Sequence, residues 1–171
     1  SVDFLDELGV PAFKVASGEV TNLPLLEHIA SKGKPIILST GMSDLSEVQQ
    51  AVEWVTKKGS EQLVLLHCVS TYPANPADVN LRAMHVMANA FDVPVGYSDH
   101  TLGIEIPLAA VALGACILEK HLTLDCNLPG PDHLASLEPT EFGTLVQAIR
   151  RTQEEVNASA LVDFGFHFIL Q

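Results

Sequence analysis

Residues 63–69 read LVLLHCV, a short apolar run in the middle of the chain. Four similar runs lie on either side of it, namely AFKVAS (12–17), PIILST (35–40), VPVGYS (93–98) and ACILEKHLT (115–123). None of the five alternates strictly between polar and apolar residues, which is typical of strands buried on both faces of a sheet. The runs therefore predict five parallel strands.

Helical patterns lie between the runs and have recognisable starts. Asp44 and Glu47 form a capping-box pair ahead of one helix. Asn80 is predicted to cap a helix over residues 81–91, and Pro139 suits the first turn of another helix. The chain therefore repeats the order strand, loop, helix.

The spacing of the runs is compatible with a barrel. They begin at residues 12, 35, 63, 93 and 115, so successive strands start 23, 28, 30 and 22 residues apart. A (β/α)8 barrel needs roughly 30 residues per unit, although an open doubly wound sheet is built from the same units. Each run carries polar residues at or just past its carboxyl end, and a barrel gathers such ends around one mouth. The pattern therefore favours an α/β fold of the (β/α)8 (TIM) type.

Five units are too few to close an eight-stranded ring, because the outer strands would expose unpaired backbone groups. We therefore expect an incomplete barrel over residues 1–156, followed by an apolar tail over 157–171 whose fold the pattern does not assign. The stretch LVDFGFHFIL in this tail is expected either to cover an exposed edge or to promote self-association.

The charge and the cysteine content exclude several classes of function. The formal net charge is −12 and no cluster of Lys and Arg is present, so binding to nucleic acid or to an anionic membrane is not expected. The chain contains no apolar stretch of membrane-spanning length and no signal-peptide layout, which favours a soluble, cytoplasmic protein. Cys68, Cys116 and Cys126 are odd in number and adjoin apolar segments, so reduced thiols are predicted. An anionic substrate would need a local site.

The first candidate site lies in FKVASGE, residues 13–19. It places Lys14, Ser17 and Glu19 at the end of a buried strand. A cation, a hydroxyl and a carboxylate in this arrangement suit the binding of an anionic oxygen with a proton transfer beside it. The alternative is a structural ion pair between Lys14 and Glu19.

Two histidines form the second candidate site. His100 in GYSDHT and His121 in LEKHLT follow successive strands, so we expect their rings to converge on one divalent metal. Either ring alone fits a hydrogen-bonded core histidine, but the pair, flanked by Asp99 and Glu119, favours a metal with open coordination positions that acts as a Lewis acid. His67 lies in an apolar context and is expected to pack rather than to be a third ligand.

The third candidate site is the loop NLPGPDH, residues 127–133. Gly130 and Pro131 predict a turn that presents Asp132 and His133 after the last strand. Such loops commonly bind substrate, and the alternative is a surface turn with a solvated Asp132.

Six motifs, in this order, resemble the successive core motifs of the sialic acid synthase family. They are VPAFKVASGE, GKPIILSTGM, LLHCVSTYP, GYSDHTLGIEI, AAVALGACILEKHLTLD and PGPDHLASLEP, and the resemblance runs from about Val10 to Arg150. The family includes N-acetylneuraminate, legionaminate and pseudaminate synthases. The resemblance implies that the five strands correspond to strands 4–8 of a synthase barrel. It also implies that the first three strands and a C-terminal antifreeze-like domain are absent, and that complete members form domain-swapped homodimers.

The resemblance also implies which residues bind the substrates. They are Lys14, Ser17, Ser70 and Ser98 for phosphoenolpyruvate, and Tyr72 and Asp132 for an amino sugar. Leu122 and Cys126 stand where Phe and Arg are common in the family, so the sugar pocket is expected to differ in detail.

The catalytic groups are implied in the same way. His100 and His121 would hold Mn²⁺, with Mg²⁺ or Co²⁺ as alternatives, Glu19 would act as the acid or base, and Lys14 would stabilise the anionic charges. The implied reaction is the transfer of phosphoenolpyruvate to N-acetylmannosamine or a related 6-deoxy diacetamido sugar. Its products are a nine-carbon 2-keto acid and phosphate.

Two other interpretations stay open. A metal-dependent hydrolase or aldolase would use the same histidine pair, but such a hydrolase usually needs more protein ligands, and such an aldolase has no need for Lys14 and Ser17. Alternatively, this chain by itself is a non-catalytic fragment of a synthase, because missing strands would carry part of the anion site.

Overall fold

The computed structural model describes residues 2–58, 62–157 and 167–170, and it describes side chains over residues 2–58 and 62–156. The helices are α1 (Val2–Glu7), α2 (Leu23–Ala30), α3 (Leu45–Lys57), α4 (Ala83–Phe91), α5 (Glu105–Ala112) and α6 (Pro139–Asn157). The strands are β1 (Phe13–Val15), β2 (Ile36–Ser39), β3 (Leu63–Cys68), β4 (Val95–Asp99), β5 (Ile117–Lys120) and β6 (His167–Leu170).

The strands form one parallel sheet in the sequential order β1-β2-β3-β4-β5-β6. An open doubly wound sheet contains a point at which the strand order reverses, and this sheet has none within the described residues. The first five strands match the five predicted runs and form a half-barrel, so the predicted incomplete (β/α)8 fold is confirmed.

A sixth strand differs from the expected count of five. Strand β6 belongs to the predicted apolar tail and pairs in parallel with β5, from Ile117 with His167 to Lys120 with Leu170. This part of the tail therefore covers the edge of β5, which is one of the two expected outcomes. Residues 158–166 and 171 of the tail lie outside the described residues.

The predicted helix starts are correct at α3 and α6 and wrong at α4. The Asp44 side chain accepts hydrogen bonds from the backbone of Ser46 and Glu47, and the Glu47 side chain returns a bond to the backbone of Asp44, which completes the capping box. Helix α6 begins at Pro139. Asn80 does not cap α4, because its backbone adopts a left-handed conformation with φ of 45° and a turn separates it from the first helical residue.

The helices cover the outer face of the half-barrel with apolar side chains. Val48, Val52 and Val55 of α3 are buried, as their helical spacing predicts. Leu65 in β3 and Leu145 in α6 are fully buried in the same core. No helix in the described ranges is long and apolar enough to cross a membrane.

Gly96 in β4 lies where two strand backbones and a core side chain meet. A Cβ atom at this position would collide with the carbonyl oxygen of Ile117 in β5, and it would lie 2.7 Å from Cδ2 of Leu66. Gly143 in α6 is different, because a Cβ atom there would meet nothing within 4 Å. The two glycines therefore allow a matched comparison.

We expect Gly96→Ala to lower the free energy of unfolding by about 1–3 kcal/mol, because the added methyl group overpacks the β4–β5 contact. Gly143→Ala should raise it by about 0.4–1 kcal/mol, because alanine loses less conformational entropy in a helix. Urea unfolding followed by circular dichroism measures both. A neutral Gly96→Ala would show that the two strands can separate without cost.

Candidate functional site

A cleft of about 310 Å³ opens at the carboxyl ends of the strands. Six residues predicted from the sequence line it, namely Lys14, Ser17, Ser70, Tyr72, Ser98 and His100. Ser39, Cys68 and Glu119 line it as well. Because parallel strands all end at the same rim, residues from five separate βα units meet in this one cleft.

The two histidines converge beside the cleft. The ring centroids of His100 and His121 are 5.3 Å apart, and the ring of Tyr72 lies 4.1 Å from the first and 5.6 Å from the second. Nδ1 of His100 lies 2.8 Å from the carbonyl oxygen of Val69. A carbonyl oxygen only accepts, so Nδ1 carries the proton and the lone pair of Nε2 is available.

These two rings fit a metal. Nε2 of His121 is buried and has no hydrogen-bond partner in the described structure. A bound metal would satisfy this buried nitrogen. Burial lowers the pKa of His100, helped by the neighbouring His121 and opposed by the bond to Val69, so the neutral ring that binds metals is favoured. No group of three or more His, Cys, Asp or Glu able to hold a metal occurs among the described residues. Water or substrate would therefore supply the other ligands.

The Lys14 cation in the cleft pairs with the carboxylate of Glu119 and not with that of Glu19, the partner that the sequence suggested. Nζ of Lys14 lies 3.5 Å from Oε2 of Glu119, and the hydroxyl of Ser98 donates to Oε1 of Glu119 at 2.6 Å. The alternative of a Lys14–Glu19 ion pair is therefore wrong. Glu19 accepts a hydrogen bond from the amide of Asn22 at 2.6 Å, and it does not line the cleft.

The contact between Lys14 and Glu119 also shows that the sheet is curved. Lys14 lies on β1 and Glu119 on β5, four strands away, and a flat sheet would hold these strands roughly 19 Å apart. Their side chains meet at 3.5 Å because the sheet curves into a half-barrel.

Ser17 is held on one side of the cleft by a backbone N–H and a thiol. The backbone N–H of Gly41 donates to Oγ of Ser17 at 2.9 Å, and Sγ of Cys68 lies 3.2 Å from the same oxygen. A Cβ atom on Gly41 would lie within 3.0 Å of Ser17, Cys68 and Ser70, so only glycine allows this close approach. On this side of the cleft, side chains therefore pack directly against the backbone of Gly41.

Ser39 is a site residue that the sequence analysis did not select. The residue is 3% exposed, it lines the cleft, and its hydroxyl has no hydrogen-bond partner in the described structure. A buried hydroxyl without a partner is costly unless a ligand or water satisfies it. The available signal was its position at the carboxyl end of the run PIILST.

The loop after β5 packs beside the histidine pair. The backbone of Leu137 donates to the carbonyl of His121 at 2.9 Å, and the hydroxyl of Thr123 pairs with Nδ1 of His133 at 2.7 Å. Asp132 is exposed, and its charge contributes, after burial and Cys68, to raising the pKa of Tyr72. Asp132 and Tyr72 therefore lie close enough to influence each other.

His67 packs, as its apolar context indicates. Its Nε2 lies 2.6 Å from the carbonyl oxygen of Val79, and its ring is 5.8 Å from that of Tyr97. Burial lowers the pKa of His67, and the bond to Val79 opposes this effect.

The fold and the site define a partial (β/α) barrel. At its carboxyl-terminal rim lie a cleft lined by a lysine and several serine hydroxyls, and a histidine pair. The chain belongs to the NeuB family, whose profile matches residues 1–160. It is 57% identical over 154 residues to the N,N'-diacetyllegionaminic acid synthase of Legionella pneumophila, covering 88% of this chain and 43% of that protein. It is 45% identical over 159 residues to the human N-acetylneuraminate-9-phosphate synthase, covering 92% of this chain and 44% of that protein.

A solved structure shows the same architecture. The N-acetylneuraminic acid synthetase of Leptospira borgpetersenii, in complex with citrate, superposes with a TM-score of 0.88 at 44% identity, covering 95% of this chain and 56% of that one. The chain spans a little under half the length of the curated relatives that it matches.

The lowered pKa values of His67 and His100 predict acid sensitivity. The unfolded chain binds a proton at each ring near pH 6.5, whereas the folded protein binds it only at lower pH. The free energy of unfolding should therefore be highest above about pH 6.5 and fall as the pH drops through that value. Urea unfolding at a series of pH values measures it.

The variant His67→Gln should make this pH dependence shallower, because one of the two buried rings is removed. His85→Gln is the matched control, since the exposed ring of His85 also bonds a carbonyl oxygen, that of Leu113 at 2.8 Å. A slope that is unchanged in His67→Gln would contradict the assignment.

Proposed function

We propose that the protein carrying this chain condenses phosphoenolpyruvate with an N-acetylated amino sugar and is a transferase. The observation that carries the proposal is the meeting of the Lys14 cation and the hydroxyls of four serines in one cleft, with the His100–His121 pair beside it. Membership of the NeuB family and the synthases among its relatives support it.

Phosphoenolpyruvate would bind at the cation side of the cleft. Lys14 would contact its phosphate or carboxylate, and the hydroxyls of Ser17, Ser39 and Ser70 would donate to the remaining oxygens. Ser98 would join them by turning its proton from Glu119 to the substrate. Ser39 supports this assignment, because its buried hydroxyl lacks a partner in the described structure. These groups let a protein with a net charge of −12 hold an anion.

The amino sugar would bind on the histidine side. A divalent metal held by His100 and His121, Mn²⁺ or alternatively Mg²⁺ or Co²⁺, would act as a Lewis acid on the aldehyde oxygen of the open-chain sugar. Tyr72, whose ring adjoins both histidines, and Asp132 would contact the sugar itself.

The reaction forms one carbon–carbon bond and breaks one bond to phosphate. The methylene carbon of phosphoenolpyruvate attacks the aldehyde carbon, and positive charge develops on the carbon that bears the phosphate. Water adds to that carbon, and the tetrahedral intermediate expels phosphate to leave the 2-keto acid. Lys14 and the serine hydroxyls stabilise the anionic oxygens throughout. Glu19 is proposed as the group that transfers protons, and it would have to leave Asn22 and turn into the cleft to do so.

Three further features are part of the proposal. A homodimer follows from the resemblance to the synthases, and a cytoplasmic location follows from the sequence pattern. The whole protein, rather than residues 1–171 alone, is expected to be active.

Phosphate release tests the reaction class. With phosphoenolpyruvate and either N-acetylmannosamine or a 6-deoxy diacetamido sugar, the full-length protein should release phosphate only when both substrates are present, and chelation should stop the reaction. An aldolase or hydrolase would turn over substrate without phosphoenolpyruvate. Release that persists in strong chelator would rule out the metal.

Lys14→Met should raise the KM for phosphoenolpyruvate by at least about tenfold and leave the KM for the sugar nearly unchanged, because a charged hydrogen bond to one substrate is lost. Lys34→Met is the matched control, since Lys34 pairs with Asp6 at 2.7 Å instead of lining the cleft. Equal effects of Lys14→Met on both KM values would indicate a structural role for Lys14.

A further inference from the structure

A fully buried ion pair lies directly beneath the histidine pair. Nζ of Lys120 donates to Oδ2 of Asp99 at 2.7 Å, and the two side chains are 1% and 0% exposed. Asp99 is the last residue of β4 and Lys120 the last residue of β5, and the two are direct partners in the strand register. The proposed reaction uses neither side chain.

The other oxygen of the Asp99 carboxylate is saturated by the segment around His100. Oδ1 accepts from the backbone N–H of Thr101 at 3.1 Å, from its hydroxyl at 2.8 Å and from the hydroxyl of Tyr97 at 3.1 Å. Lys120 also donates to the carbonyl oxygen of Thr101. One cluster therefore holds the residues on both sides of His100.

The same cluster adjoins the second histidine through the chain. His121 directly follows Lys120, as His100 directly follows Asp99. Side chains alternate along a strand, so Asp99 and Lys120 point to the face opposite Ser98 and Glu119, which pair in the cleft. The ion pair therefore touches the backbone beneath both rings without entering the cleft.

Stability alone does not account for such a pair. Removing two charges from water is costly, and apolar side chains of similar volume stabilise a core at least as well. A buried ion pair with saturated hydrogen bonds instead imposes one geometry on the groups that it joins.

We propose that Asp99 and Lys120, together with Thr101, are positioning residues that set the separation and direction of the His100 and His121 rings. The inference rests on the proposed metal site, and it concerns residues that contact neither metal nor substrate. Its prediction is that metal affinity falls when the cluster is altered while the histidines and the fold are kept.

Two single variants separate positioning from stability, because each removes one hydroxyl donor to the same oxygen of Asp99. Thr101→Val loosens the segment that contains His100, whereas Tyr97→Phe removes a donor whose ring is held in the core. The free Mn²⁺ signal in electron paramagnetic resonance gives the dissociation constant of the full-length protein. We expect Thr101→Val to raise it by about tenfold, as outer-shell changes commonly do, and Tyr97→Phe to change it less than about twofold.

A double variant tests the ion pair itself. Asp99→Asn combined with Lys120→Met leaves no uncompensated buried charge, so it should fold as judged by circular dichroism and still bind Mn²⁺ at least about tenfold more weakly than the wild type. The Co²⁺ absorption spectrum should shift as the ring geometry changes. His121→Ala removes a metal ligand and therefore gives the Mn²⁺ dissociation constant expected when the metal site is lost.

The outcomes distinguish this inference from the metal proposal on which it rests. If the wild type binds Mn²⁺ and both Thr101→Val and the double variant bind it equally well, the positioning role is wrong and the metal site stands. Equal weakening by Thr101→Val and Tyr97→Phe would also overturn the positioning role in favour of general destabilisation. If the wild type binds no Mn²⁺, or binds it no more tightly than His121→Ala does, both the positioning role and the metal site are wrong.

Discussion

The parallel register between β4 and β5 is the constraint on which the site depends. It places Ser98 beside Glu119 and Asp99 beside Lys120. Because side chains alternate along a strand, one pair enters the cleft and the other is buried on the opposite face. A slip of β5 by one residue would turn its side chains to the other face, so that Glu119 would no longer lie beside Ser98 and Lys120 would no longer lie beside Asp99. The histidines that follow the two strands would then part.

The cleft also depends on local charge balance. The protein is strongly acidic, and the cation of Lys14 is held by the buried carboxylate of Glu119, which in turn accepts from Ser98. The carboxylate fixes the position of the ammonium group but removes most of its net charge. Hydroxyl donors must therefore provide the rest of the attraction for an anion, since they orient dipoles without adding charge. The serine-rich lining of the cleft has this physical explanation.

Local patterns were reliable where the structure is decided locally. The five apolar runs became the five strands of the half-barrel, and Asp44 capped its helix because both halves of the capping box lie within one turn. Asn80 shows the limit of such reasoning. Asparagine suits both a helix cap and a left-handed turn, and the chain uses the second here.

The sequence by itself determined the parallel βα order, the placement of polar residues at the strand ends, and hence the convergence of Lys14 and His100 at one rim. These follow from periodicity and from the common direction of parallel strands. Only the tertiary structure decided that Glu119, rather than the nearby Glu19, balances Lys14, and that Ser39 presents an unpartnered hydroxyl. Those contacts depend on strand register and on the curvature that brings β1 to β5, and neither is encoded in any local stretch of the chain.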